Sequence, residues 1–439
     1  MTLLYRQKFG NKLGYWGVIV AIIATLALAF PISAQAATYY VDKSAPAGGN
    51  GSPQKPWDGI QAALRSGVLT GGDEVILAPG RYGRLKFHDV RPDSTILFRA
   101  SGPGVHATEL EVARSQNLSF EGFEIWPAKP RNDNQSLVRA GYSSRNINFS
   151  RFDLRSGPDA ADYMGWTLQD WKKRRISGFL LNGPDVSVTD STLTGISFGI
   201  AVTGKNARVE RNTIYGFSGD GIRGLGDNTL VKANHIKDCV KIDGNHDDGI
   251  QSWTLGKDGK VGAGIQRDLQ IIGNKIEEWT GPADHPLICD LQGMLFGHQL
   301  RDLVITDNIV SVSAYHGIAA AGVSGGLIAN NTLVNNRGPS TKAPWIGILG
   351  GGSRDVVIAN NITPLFSLPD NLSGQLRANK NVQLIYSARE LVDPMNQNYA
   401  LKPGSALIDS ARVEYAPETD YSGARRGAAP DIGALESLP

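Results

Sequence analysis

From residue 185 the chain alternates apolar and polar positions in short runs, and the runs recur: "DVSVTDSTL", "NARVERNTI", "NTLVKANHI", "DLQIIGNKI", "DLVITDNIV", "GGLIANNTL" and "DVVIANNIT". A period of two over so few residues predicts strands buried on one face. Each run ends at an Asp or Asn (Asp190, Asn212, Asn234, Asn274, Asn308, Asn331, Asn361), and the shortest intervals are 22 residues. Three short strands and three tight bends need about that many residues, at roughly 3.3 Å per strand residue. The pattern predicts an all-β fold, a right-handed parallel β-helix built as a single-stranded solenoid. Polar residues recurring at one bend are expected in a left-handed backbone position, each stacking its amide on the next rung. The weaker runs "NLSFEGFEI" and "NINFSRFDL" carry the coil back to about residue 117. Ahead of them, "WDGIQAALRSG" reads as a short amphipathic helix covering the open end of the coil.

A second column threads the same rungs. Gly178, Gly199, Gly221, Gly249, Gly293, Gly317 and Gly347 each precede an apolar residue, from Phe179 to Ile348. The residues just before them are Ser177, Phe198, Asp220, Asp248, Gln292, His316 and Ile346. In register, Asp220, Asp248, Gln292 and His316 occupy consecutive coils about 4.8 Å apart, with Asp247 beside Asp248. Asp-Gly is also ordinary turn chemistry. Loop lengths favour a site. Asn column to Gly column takes 9 residues in three rungs but 15, 19 and 16 in others, and "SGPDAADYMGWTLQDWKKRR" enters the same bend before Gly178. Insertions that wall one strip of a solenoid make a cleft. A further insertion, "TLGKDGKVGAG", leaves the line after Trp253.

Carboxylates this close repel, so one of them gains a proton or a cation sits between them. The first outcome supplies a general acid beside a general base, as glycoside hydrolysis needs. The second is a Ca²⁺ site of oxygen ligands from Asp220, Asp247 and Asp248, able to neutralise a uronate during β-elimination. Elimination also needs a base and a positive group, and the candidates nearby are His246, Arg223, Lys241, His298 and Arg301. Arg223 is expected to point outward if the chain bends at Gly221, because otherwise Asp220 and the core residue Ile222 would share one face. Gln251, Gln292 and Trp253 lie along the same strip, while Trp171 and Arg174 belong to the basic insertion, where aromatic faces and cations suit an acidic sugar chain.

Composition narrows the partners. The chain opens with Arg6, Lys8 and Lys12, then an apolar run from Trp16 to Phe30, then "ISAQAATYY". That order predicts an export signal over residues 1–36, cleaved after Ala34-Gln35-Ala36, and hence a periplasmic or extracellular protein. Cleavage removes three of 44 basic residues and none of the 42 acidic ones, leaving a nearly neutral chain. A nucleic-acid binder would need a basic surface to displace counterions. No later stretch suits a bilayer span, and a monomer acting on a polysaccharide is expected. Cys239 and Cys289 are the only cysteines, free to pair or to remain as buried thiols.

The chain ends carry a resemblance. "YYVDKSAPAGGNGSPQKPWDGIQAAL" with "GGDEVILAPGRY" at entry, and "LKPGSALIDSA" with "DIGALE" at exit, look like the ends of secreted β-helix carbohydrate-active proteins. Chondroitinase B, alginate lyases, mannuronan epimerases and pectate lyases are of this kind. The resemblance implies one β-helix domain over 37–439, with caps at about 37–85 and 390–439. It also implies an acidic polysaccharide substrate, with β-elimination favoured over inverting hydrolysis, C5-epimerisation or non-catalytic glycan binding. Asp220, Asp247 and Asp248 are similar to the calcium ligands of family-nine pectate lyases, but Gln251 replaces a further aspartate and Leu295 stands at the lysine position. Asp220, Asp247, Asp248 and "YHG" at His316 resemble polygalacturonases, with the Gln292 rung interposed and the later Arg-x-Lys missing from "WIGILGG".

Overall fold

The computed structural model describes residues 36–437 apart from 257, 341, 351, 369–376, 380–381 and 384–388, with backbone alone for 377–379 and 382–383. The expected export signal lies, but for Ala36, outside the described residues. Ala36–Pro439 forms one unit. From Glu74–Leu77 to Leu365–Ser367 its chain visits three sheets in turn on each coil, as in Val186–Thr189, Thr192–Ile196 and Ile200–Val202. Sheet I has 14 strands, sheet II has 12 and sheet III has 11 among the described residues, and every rung-to-rung pairing in them is parallel. This is the parallel β-helix that the repeat predicts. No helix among the described residues is long and apolar enough to cross a membrane.

The coil starts earlier than the legible repeat, since Thr38–Val41 already pairs with Glu74–Leu77 in sheet I. Helix α1, Ile60–Arg65, buries Ile60 and Ala63 at this end. Inside, like residues stack from coil to coil. Phe98, Phe120 and Phe149 lie ring over ring at 5.6 and 5.4 Å, and the aliphatic positions of each strand close the core.

The bend from sheet I to sheet II is a ladder of buried amides. Asn212 Nδ2 donates to Asn234 Oδ1 at 2.9 Å, and the same bond continues to Asn274, Asn308, Asn331 and Asn361. Each acceptor oxygen also takes the backbone N–H of the preceding rung, as Asn274 Oδ1 does from Asn234 N–H at 3.0 Å. The left-handed position is one residue earlier than expected, at Arg211, Ala233, Gly273, Asp307, Asn330 and Asn360, all with φ between 53° and 61°. Asp190 (φ 53°) belongs to that column, and Ser191 heads the ladder by donating its N–H to Asn212 Oδ1 at 3.0 Å. The amides are needed inside the bend, where their donors meet carbonyls such as Val188 O, 2.9 Å from Asn212 Nδ2.

The strip of interest lies on sheet III, where seven strands run side by side: β1 (Ser177–Leu181), β2 (Ile200–Val202), β3 (Ile222–Gly224), β4 (Asp248–Trp253), β5 (Gln292–Gly297), β6 (His316–Ala321) and β7 (Trp345–Leu349). Ile200, Ile222, Ile250, Met294 and Ile318 pair in sequence, so Asp220, Asp248, Gln292 and His316 do fall in one file. Gly221 and Gly249 are fixed by approach between coils. A Cβ on Gly221 would lie 2.6 Å from Gly249 O, and one on Gly249 would lie 2.7 Å from Gly293 O. The last rung departs from expectation: an irregularity between His316 and Ile318 pairs His316 with Trp345 and Ala319 with Gly347. Trp345, not Ile346, therefore continues the file.

Candidate functional site

The inserted loops gather where the sequence places them. Residues 156–176, 240–247, 278–291 and 336–344 all bridge sheet II to sheet III, at the edge where β1, β4, β5 and β7 begin. A disulfide joins Cys239 to Cys289, so the second and third of these loops are fastened together. Lys241 N–H donates to Leu287 O across the same junction, 2.8 Å.

The carboxylates are not the exposed file that an outward bend would give. Asp220, Asp247 and Asp248 are 1, 3 and 0 % exposed. Strand β4 begins at Asp248 itself, so Asp248, Ile250 and Ser252 share the inward parity, and all three are buried. Each acid holds a basic side chain that does reach the surface. Arg223 Nε donates to Asp220 Oδ2 at 2.5 Å, and its guanidinium lies 4.1 Å from the Phe198 ring and 5.3 Å from that of Trp253. Lys241 Nζ donates to Asp247 Oδ2 at 2.9 Å, with Asn245 Nδ2 on the other oxygen at 2.9 Å. His246 Nδ1 is 2.9 Å from Asp248 Oδ2, which also accepts from Gln251 Nε2 at 2.8 Å. Asp248 Oδ1 and the Trp253 indole N–H are buried with no partner among the described residues. Native folds rarely leave such atoms unsatisfied without a use for them.

The electrostatics separate these groups. Burial raises the pKa of Asp220, Asp247 and Asp248, the last to about 7. His246 is raised, first by its bond to Asp248. His316 is pushed down to about 4 by burial, with His246 and Lys342 adding positive charge nearby. Its Nδ1 faces Gln292 Oε1, an acceptor, so the ring proton sits on Nδ1 and the Nε2 lone pair is left open. The two imidazoles lie 6.2 Å apart, and His316 is flanked by the rings of Tyr315 and Trp345 at 4.1 and 5.0 Å. Lys342 completes the rim with its ammonium 4.6 Å from the Tyr315 ring.

Among the sequence-predicted residues, Asp220, Asp247, Asp248, His246, Arg223, Lys241, Gln251, Trp253, Gln292 and His316 come together. Four do not. Trp171 is 1 % exposed in a cluster with Tyr163, Trp166, Val240 and Ile242. Arg174, next in the run after helix α2 (Leu168–Lys173), pairs with Asp159 at 2.5 Å and covers the Trp166 ring, so it fastens the insertion instead of lining a cleft. His298 occupies a left-handed turn (φ 79°) on the way to sheet I, beside Gly262 of the later insertion. Arg301 is exposed on sheet I. Sequence reasoning passed over Tyr315 and Lys342. The aromatic at 315, next to the file histidine, was the available signal.

The expected calcium ligands do not fit the ion. Each carboxylate already faces a side-chain donor of positive charge. Among the described residues, the only trio of Asp, Glu, His or Cys ligand atoms within 4.8 Å of one another is Asp247 with Cys239 and Cys289, both tied up in the disulfide.

Residues 177–283 match a family model described as a right-handed beta helix region. The chain is similar to the solved structure of the pectate lyase Pel9A at 14 % identity, TM-score 0.47, over 92 % of this chain and 96 % of that one. It is similar to a GH136 lacto-N-biosidase from Eubacterium ramulus at 14 % identity, TM-score 0.48, over 78 % and 67 %. The A-module of the Azotobacter vinelandii mannuronan C-5 epimerase AlgE6 gives 14 % identity, TM-score 0.44, over 74 % and 92 %. No curated protein matches the chain.

Proposed function

We propose that the protein is a carbohydrate-active enzyme that cuts an acidic polysaccharide by β-elimination. One observation carries this reading: two neighbouring histidines have their pKa values pushed in opposite directions, His246 up and His316 down, under a rim of cations and aromatic rings. Surroundings that push paired pKa values apart assign the acid and the base. His316, neutral with Nε2 open, takes the proton from the sugar carbon beside the carboxylate. The electron pair forms the new double bond as the adjacent glycosidic C–O bond breaks, and His246, protonated and backed by Asp248, donates its proton to the leaving oxygen. Arg223 pairs the uronate carboxylate and stabilises the charge that develops on it. An anionic substrate also offsets the positive charge that adds to burial in depressing His316, making it a better base when it is needed. The buried aspartates are positioning residues in this scheme.

Inverting hydrolysis is the second reading, favoured by the raised pKa of Asp248 and its unpartnered oxygen. A panel of acidic and neutral polysaccharides, followed for both unsaturated ultraviolet-absorbing ends and new reducing ends, separates the two. Unsaturated ends that vanish in His316→Gln support elimination. New reducing ends without unsaturation, lost in Asp248→Asn, would overturn it in favour of hydrolysis.

A further inference from the structure

Three cations at the histidine site each face one buried acid: Arg223 on Asp220, Lys241 on Asp247 and His246 on Asp248. Lys342 faces none. Among the described residues it forms no ion pair, and its ammonium lies 4.6 Å from the Tyr315 ring, whose neighbour at 4.1 Å is the His316 imidazole. Positive charge is therefore left over at the His316 end of the strip, one aromatic ring from the proposed base.

The loop that carries this charge is fastened. Lys342 N–H donates to Ser340 Oγ at 3.2 Å, Ser340 N–H to Ser313 Oγ at 3.1 Å, and the Ser313 hydroxyl to Glu278 Oε1 at 2.8 Å. Glu278 is fully buried, and its other oxygen accepts from Asn336 Nδ2 at 2.9 Å, so the start of the same loop is tied to the same carboxylate. A Cβ on Gly338 would collide with that oxygen. Among the described residues no cation pairs with Glu278. Burying a carboxylate that way is costly, and what Glu278 secures is the placement of residues 336–344. We propose that Lys342 is a specificity-determining residue that pairs with a carboxylate or sulfate on the sugar beside the one His316 deprotonates, with Glu278 and Ser313 as positioning residues behind it. Arg223 on β3 and Lys342 ahead of β7 stand on opposite flanks of His316, four strands apart at about 4.8 Å each. A single carboxylate does not reach both, so the substrate class that fits carries acidic groups on more than one sugar of the bound stretch. Which sugar reacts rests on the proposed function, but the contact at Lys342 does not depend on turnover.

The test uses the full chain carrying His316→Gln, so that probes survive, titrated calorimetrically with hexagalacturonate, hexamannuronate and cellohexaose. At least one acidic probe should bind, Lys342→Gln should weaken it about tenfold, Lys342→Arg should restore it, and Ser313→Ala should fall between. In the parent chain, the His316 imidazole followed by NMR should titrate above its value of about 4 once Lys342→Gln removes the charge that opposes protonation, and Lys342→Arg should leave it in place. Melting temperatures check that each variant folds. No binding of either acidic probe, unchanged affinity in Lys342→Gln, an equal loss on cellohexaose, or an unmoved His316 titration would overturn the assignment. New reducing ends without unsaturation would remove the elimination reading and leave the Lys342 dependence intact. Unsaturated ends with KM unaltered in Lys342→Gln would do the reverse.

Discussion

At the bend from sheet I to sheet II, the asparagines from Asn212 to Asn361 stack as a neutral file in which each amide serves the next. On sheet III, at the edge entered from sheet II, Asp220, Asp248, Gln292 and His316 stack at the same spacing, but charges differ from rung to rung and Asp248 Oδ1 is left over. Both files are buried and polar. An amide carries its own donor and acceptor, so repeating it satisfies every rung. A carboxylate only accepts, so each buried one must recruit a foreign donor, and here the donors are Arg223, Lys241 and His246. The first file holds the coil together. The second holds titratable groups in place at a cost in stability.

Breaking the reactive file should give the largest effect. His316→Gln and His246→Asn are each expected to lower kcat/KM by roughly 10²–10⁴-fold while melting stays near that of the parent, checked by steady-state kinetics and thermal unfolding. The parent's kcat/KM should be bell-shaped in pH. Activity rises as His316 loses its proton near pH 4, and it falls as His246 deprotonates above the ordinary histidine value of 6.5. Persistence of the alkaline fall in His246→Asn would show that another group is the acid.

Breaking the neutral file should instead cost fold. Asn274→Ala strips the acceptor from Asn234 Nδ2 and the Asn234 backbone N–H. With two buried donors orphaned, the loss should be about 3 kcal/mol or more in denaturant unfolding.

Asp248→Asn sharpens the contrast because its sign depends on pH. The carboxyl ordinarily titrates at 3.8 and sits at about 7 in the fold. Its burial therefore costs nothing below 3.8, and the full penalty is present above 7. His246, raised, adds stability that is likewise lost as pH rises. The variant should gain about 2 kcal/mol over the parent at pH 8 and nearly nothing at pH 4, read from unfolding at both values. The smallest effect belongs to the exposed rim of the neutral file. Arg211→Ala removes a pair to Asp190 whose side chains are 52 and 42 % exposed, and it should cost less than about 1 kcal/mol.

Much of this was legible in the chain because the coil enforces a fixed period. Strand positions, the asparagine file and the Asp220–Asp248–Gln292–His316 alignment follow from counting. What failed depended on local geometry that counting does not reach. The left-handed column was misplaced by one residue because Arg211 and Ala233 carry no turn signature. The Gly347 rung slipped because an irregularity after His316 changes the pairing. The aspartates were expected outside because Asp220 and Ile222 on one face looked incompatible, yet Arg223 makes Asp220 tolerable inside, as His246 and Gln251 do for Asp248. Trp171 and Arg174 read as a sugar platform because a basic, aromatic run looks alike whether it faces solvent or pins a loop. Only contact with Val240 and Ile242 tells them apart.

Cys239 and Cys289 stand 50 residues apart in sequence and bolt the margin of one winding to that of the next. The windings themselves are kept by their own strands, so cutting the bolt with a thiol reagent leaves the spool wound while the segment bearing His246 works loose. Both cysteines are fully buried, so a strong reductant is needed to reach them, and the molecule should then fall silent before it melts.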